Sequence, residues 1–99
     1  MDVEKNIPVL LEKALLLNQL GRFYFQSGET RKSLEYFKGS FELSRKLDNR
    51  NGMAVNAANM ARAVLTMSVK NNSESEVEEV ITFIQKAIIS SKATSSLVL

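Results

Sequence analysis

Arg22 and Arg62 fall on corresponding positions when the 99-residue chain is slid along itself by 40 residues. A guanidinium is planar and can grip a carboxylate through two parallel hydrogen bonds, so this pair could hold an acidic group. The competing reading is two solvated side chains with their apolar stems laid on the surface. Other chemistry is scarce. The sequence has no cysteine, and so no disulfide, thiolate metal site or thiol nucleophile. It has no histidine, which removes the imidazole base and the imidazole metal ligand. No motif organises the glutamates and lysines for catalysis. The reading is a chain that is not an enzyme and needs neither cofactor nor metal.

The remaining polar patterns have structural explanations. Arg31, Glu35, Lys38, Glu42 and Arg45 follow at spacings of 4, 3, 4 and 3, which places alternating charges on one solvated helical stripe. The run ESEVEE, Glu74 to Glu79, suits the positive end of a helix dipole better than a metal site. Met53, Met60 and Met67 recur every seven residues, as a core seam or an adaptable binding stripe. The core seam is preferred. The terminal SLVL with its carboxylate is a faint match to sheet-edge ligands.

Ninety-nine residues suffice for one small domain, and a hydrophobic fraction of 44% with 24% charged residues fits a folded chain. Eight basic and six acidic residues precede Asp48, and five of each follow from it onward. Neither half has the basic excess of a nucleic-acid binder. The first residues carry Asp2, Glu4 and Glu12 and lack the pattern of a signal peptide. No apolar run is long enough for a membrane span, so the expectation is a soluble, cytoplasmic protein.

With one proline, four glycines and no sustained alternation, the chain reads as four helices. The first spans about Ile7 to Gln26, with Asn6 as N-cap and Pro8 in its opening turn. Ser27 and Gly28 end it. The second spans about Thr30 to Leu47, with Leu34, Phe37 and Phe41 at helical spacing. Asp48 is the expected cap of a third helix over about Asn51 to Val69. Ser73 and Glu76 form a capping box for a fourth helix reaching about Lys92. Residues 93–99 read as a loosely held tail. Short joints imply two antiparallel helix hairpins.

The hairpins repeat one another. A shift of 40 pairs Leu20 with Met60, Gly21 with Ala61 and Phe25 with Leu65. The second and fourth helices align best at a shift of 47, pairing Leu34 with Ile81, Phe37 with Ile84 and Ser40 with Ala87. Seven residues are therefore inserted between Val64 and Val80, in a helix or in a loop.

Leu17, Leu20-Gly21, Tyr24, Gly28, Ser33, Phe37 and Ser40 resemble the tetratricopeptide repeat signature over residues 14–92. The 40-residue shift and the stretch KLDNRNGMA are similar to the longer-period variety in kinesin light chain and related adaptors. Ala61 and Val64 depart from the pattern in the second copy. The resemblance implies an all-α fold, with four helices in two antiparallel hairpins stacked as a short right-handed superhelix. It divides a single 1–92 domain into repeats at about 14–47 and 51–92.

It further implies a groove lined by the first helix of each hairpin. Asn18, Arg22, Phe25 and Gln26 would line it from one repeat, and Val55, Ala58, Asn59, Arg62 and Leu65 from the other. Asn18 and Asn59 could then bond the backbone of an extended ligand. The expected function is a protein-binding adaptor or scaffold that takes a peptide or helix, acidic or C-terminal. Gly21 would admit the second helix closely, opposite Ser33 and Ser40. Leu20, Tyr24 and Phe37 would wedge between the two helices, and Phe23 would face a neighbouring unit. Two repeats also leave apolar edges, at Val9, Leu10 and Leu16 or at Ile88 and Ile89. The alternative is thus a homo-oligomer or a piece of a larger array.

Overall fold

The computed structural model describes residues 6–71 and 74–89, with side chains through Val69 and over residues 74–86. They form four helices and, among the described residues, no strand: α1 (Ile7–Gln26), α2 (Thr30–Lys46), α3 (Arg50–Asn71) and α4 (Glu74–Ile89). Successive helices pack on one another, whereas α1 and α3 barely touch. The result is two stacked hairpins with an open furrow between their first helices. Ser73, Lys92, residues 93–99 and the side chains of Ile88 and Ile89 lie outside the described residues. No described helix is long and apolar enough to cross a membrane.

Both well-defined joints are built alike. The Asn6 side chain caps α1 by accepting from the Val9 N–H at 3.3 Å. At its far end Gly28 adopts φ +86° and the Glu29 N–H reaches back to the Tyr24 carbonyl at 2.9 Å. This closes the helix with a left-handed residue that satisfies its last carbonyls. After α2 the same part is taken by Asp48, at φ 55°, with the Asn49 N–H on the Ser44 carbonyl at 2.8 Å. Short Asp side chains tolerate this conformation. The cap of α3 is consequently Asn49 rather than Asp48: its Oδ1 accepts from the Gly52 N–H at 3.1 Å.

The inserted residues lengthen helices. Shifted by 40, the end of α1 falls at Thr66, but α3 runs five residues further, to Asn71. Shifted by 47, the start of α2 falls at Val77, but α4 begins three residues earlier, at Glu74. The two extensions take up the inserted length.

The core is a single cluster. Leu34, Phe37 and Phe41 of α2 meet Met53, Met60, Ala63, Val64 and Met67 of α3 and Val80 of α4. Met53, Met60 and Met67 are all at most 4% exposed, so the stripe is a core seam. Phe41 is fully buried and its ring lies 5.9 Å from that of Phe83, tying α2 to α4.

Gly21 is a contact point, though with a different neighbour from the expected one. A Cβ built there would sit 2.6 Å from the ring of Phe37, so the glycine exists to admit an aromatic edge. The approach of small residues occurs two turns earlier, where Ser40 donates to the Ala14 carbonyl at 2.7 Å. The fully buried Ser33 turns inward on its own helix and donates to the Thr30 carbonyl at 2.6 Å. Gly21→Ala will therefore destabilise the fold by about 1 kcal/mol, because overpacking of roughly 1–3 kcal/mol outweighs the gain in helix propensity. Adding Phe37→Leu should recover part of the loss, which thermal melts of the single and double variants will show as non-additivity.

The three consecutive aromatics diverge as helical geometry requires. Tyr24 stacks on Tyr36 with centroids 5.3 Å apart, and Lys32 Nζ lies 4.4 Å above the Tyr24 ring. Phe25 packs against the core. Phe23 remains 59% exposed, its ring edge-on to Tyr24.

The charged stripe on α2 is only partly a solvated face. Glu42 and Arg45 pair within the helix at 3.1 Å. Arg31 instead reaches α4 and bonds Glu76 at 2.8 Å, and Lys38 Nζ lies 5.6 Å from the Phe83 ring centre. Two of its five residues thus contact the fourth helix.

Candidate functional site

Residues of α1 and α3 line two separate depressions along the furrow. The smaller, about 50 Å³, has Arg22 and Phe25 on one wall and Asn59 and Arg62 on the other, with Phe37 also lining it. Arg22 and Arg62 are exposed, and neither forms an ion pair among the described residues. By contrast Arg31 and Arg45 are engaged. Each is held above the usual arginine range, first by its hydrogen bond to Glu76 or Glu42 and then by that partner's charge. A base stabilised in its charged form adds stability that is complete below its ordinary pKa and fades only in strong alkali. Both guanidinium groups therefore keep their charge across the neutral range.

The larger depression, about 390 Å³, lies one to two turns toward the helix N-termini. Leu11, Leu15 and Val55 supply apolar walls, exposed by 41%, 58% and 53%. Beneath them runs a relay of neutral polar groups. Asn18 Nδ2 donates to Asn56 Oδ1 at 2.7 Å, and Asn56 Nδ2 donates to Ser40 Oγ at 2.8 Å and to the Gly52 carbonyl at 2.9 Å. The Ser40 hydroxyl in turn donates to the Ala14 carbonyl. Asn56 is 2% exposed, so three helices are joined through one buried amide. Neutral amides and hydroxyls can recognise peptide groups but supply no acid, base or nucleophile at this geometry.

The sequence-derived residues divide accordingly. Asn18, Arg22, Phe25, Val55, Asn59 and Arg62 line the two depressions. Gln26, Ala58 and Leu65 line neither; all three are exposed. Asn18 has one amide proton committed to Asn56. Leu11, Leu15, Ser44 and Asn56 were not anticipated. For Asn56 a signal existed: it falls three residues after Met53 and four before Met60, on the buried seam, where a polar group must find partners.

Two wider depressions, about 530 and 590 Å³, carry charges of both signs: Glu29, Arg31, Lys32 and Glu35 in one, and Glu78, Glu79 and Lys86 in the other. In the first, Arg31 is already bound by Glu76. Among the described residues no three His, Cys, Asp or Glu side chains gather as a metal-ligand set. No known protein family, curated protein or solved structure matches this chain.

Proposed function

We propose that the chain is a non-enzymatic protein–protein interaction module of the tetratricopeptide kind, an intracellular adaptor that holds an acidic or C-terminal partner segment between α1 and α3. The observation that carries this reading is the smaller cleft. Two guanidinium-bearing side chains, one from each hairpin, share it with a side-chain amide, and neither has a carboxylate among the described residues to neutralise it. Such an arrangement favours an anionic group through charge and bidentate geometry. In a fluorescence-anisotropy titration with a labelled, glutamate-rich extended peptide, the wild-type chain will bind. Arg22→Glu with Arg62→Glu will weaken binding on the order of 100-fold, since each charged contact contributes about 1.5–3 kcal/mol. Both substitutions are on the surface, so helicity and melting temperature will stay nearly unchanged. Equal binding by the double variant would refute the cleft.

A second reading, self-association, has its own observation. Val9, Leu16 and Phe23 lie seven residues apart along α1, exposed by 40%, 55% and 59%. They share the flank opposite the buried Ala14 and Gly21. A homo-oligomer built on this edge requires that sedimentation velocity show mass rising with concentration. A single monomeric species at tens of micromolar would exclude it.

A further inference from the structure

Resting on the groove reading, we propose that the furrow recognises two points of its partner at once. An aliphatic side chain sits in the larger depression, and a carboxylate three residues away sits between Arg22 and Arg62, along a segment in polyproline-II conformation.

The first point follows from what the larger depression offers and lacks. None of its lining residues is charged, and its walls are the exposed Leu11, Leu15 and Val55. A neutral, aliphatic side chain fits such walls, and burying it there removes apolar surface of both partners from water. The floor has a donor without an acceptor. Ser44 lines the depression, is 2% exposed, and its hydroxyl has no hydrogen-bond partner among the described residues. Buried hydroxyls are nearly always satisfied, so this one marks a group that the chain itself does not supply. Gly52 lets α3 pack directly on this serine, because a Cβ there would stand 2.5 Å from Ser44 Oγ. Asn49, whose Oδ1 serves the Gly52 N–H, presents its amide protons to the same space. Two donors beside an aliphatic seat suit the backbone carbonyl of the residue that fills it.

The second point is the distance. Leu15 to Arg22 on α1 and Val55 to Arg62 on α3 are both seven residues, or about 10 Å of helix rise. A β-strand covers that length in three residues but turns the third side chain to the opposite face. A polyproline-II segment has three residues per turn and ~3.1 Å rise, so its third side chain returns to the same face after about 9 Å. Of these two extended geometries, only the second points both side chains into the furrow.

The test is an anisotropy titration with fluorescein-labelled peptides in which leucine and glutamate are one, two, three or four positions apart, with proline and serine as fillers. The Leu-Pro-Pro-Glu member will bind about tenfold tighter than the other spacings, because its conformation is preset. Replacing its leucine by serine will cost about as much, and Val55→Asp in the protein will abolish the leucine preference while circular dichroism stays unchanged. Equal affinity at every spacing, or indifference to leucine, would overturn the two-point reading. If binding then still required glutamate and both arginines, the acidic groove would stand alone. If no member bound at millimolar concentration, both readings would fall.

Discussion

Asn56→Asp will destabilise the protein by at least about 3 kcal/mol near neutral pH, although the substitution exchanges one NH₂ for one oxygen. The buried amide donates to both Ser40 Oγ and the Gly52 carbonyl. An oxygen in its place sets lone pair against lone pair at Gly52. The Ser40 hydroxyl could turn to donate to the new carboxylate, but only by abandoning the Ala14 carbonyl it now serves. The carboxylate is also desolvated, since position 56 is 2% exposed. Burial raises the folded-state pKa of an acid above its unfolded value, so the variant will gain stability as pH falls through that raised value. Denaturant melts between about pH 4 and pH 7 will show this recovery in the variant alone. Asn56→Leu will cost less, roughly 1–2 kcal/mol, because it removes the amide without introducing a repulsive charge. If the aspartate variant were as stable as wild type at neutral pH, the relay would not be a structural element.

Phe41→Ala will cost about 3–5 kcal/mol, the usual loss for an aromatic deleted from a closed core. Phe41 is fully buried, and it faces α3 on one side and the Phe83 ring of α4 on the other. A domain of this size has about 5–15 kcal/mol in total. At roughly 4–8 °C per kcal/mol the melting temperature should fall by about 15 °C or more. The fourth helix should loosen first, because its remaining anchor in the core is Val80 with the half-buried Val77 and Ile84. Amide exchange will show protection lost earliest over α4. A loss spread evenly over all four helices would mean that Phe41 does not hold α4 in place.

Much of this fold was legible from local pattern. Leu34, Phe37 and Phe41 recur at helical spacing and are buried on one face of α2. Gly28 and the Asn6-Pro8 pair punctuate α1 where capping chemistry says they should. What escaped the sequence lies between helices. Phe37, rather than a serine, fills the space at Gly21, because the register of α2 against α1 is set by packing and not by local periodicity. Arg31 finds Glu76 across 45 residues, while Glu35, one turn along its own helix, offered a local alternative. Asp48 looked like a cap by residue type, but it was needed at the left-handed position that ends α2, which shifted capping to Asn49. In the groove, the paired arginines could be found by self-alignment. The Asn18–Asn56–Ser40 relay could not, because its members come from three helices.

On this proposal, the furrow between α1 and α3 is where a partner binds. It is tested most directly by nitrogen–proton correlation spectra of the full chain titrated with the Leu-Pro-Pro-Glu peptide. With the peptide in the furrow, the side-chain amide signals of Asn18, Asn49 and Asn59 will shift together with the guanidinium signals of Arg22 and Arg62, while those of Arg31 and Arg45 stay in place. Shifts concentrated on the outer face of α2 and α4, with the furrow amides unmoved, would contradict it.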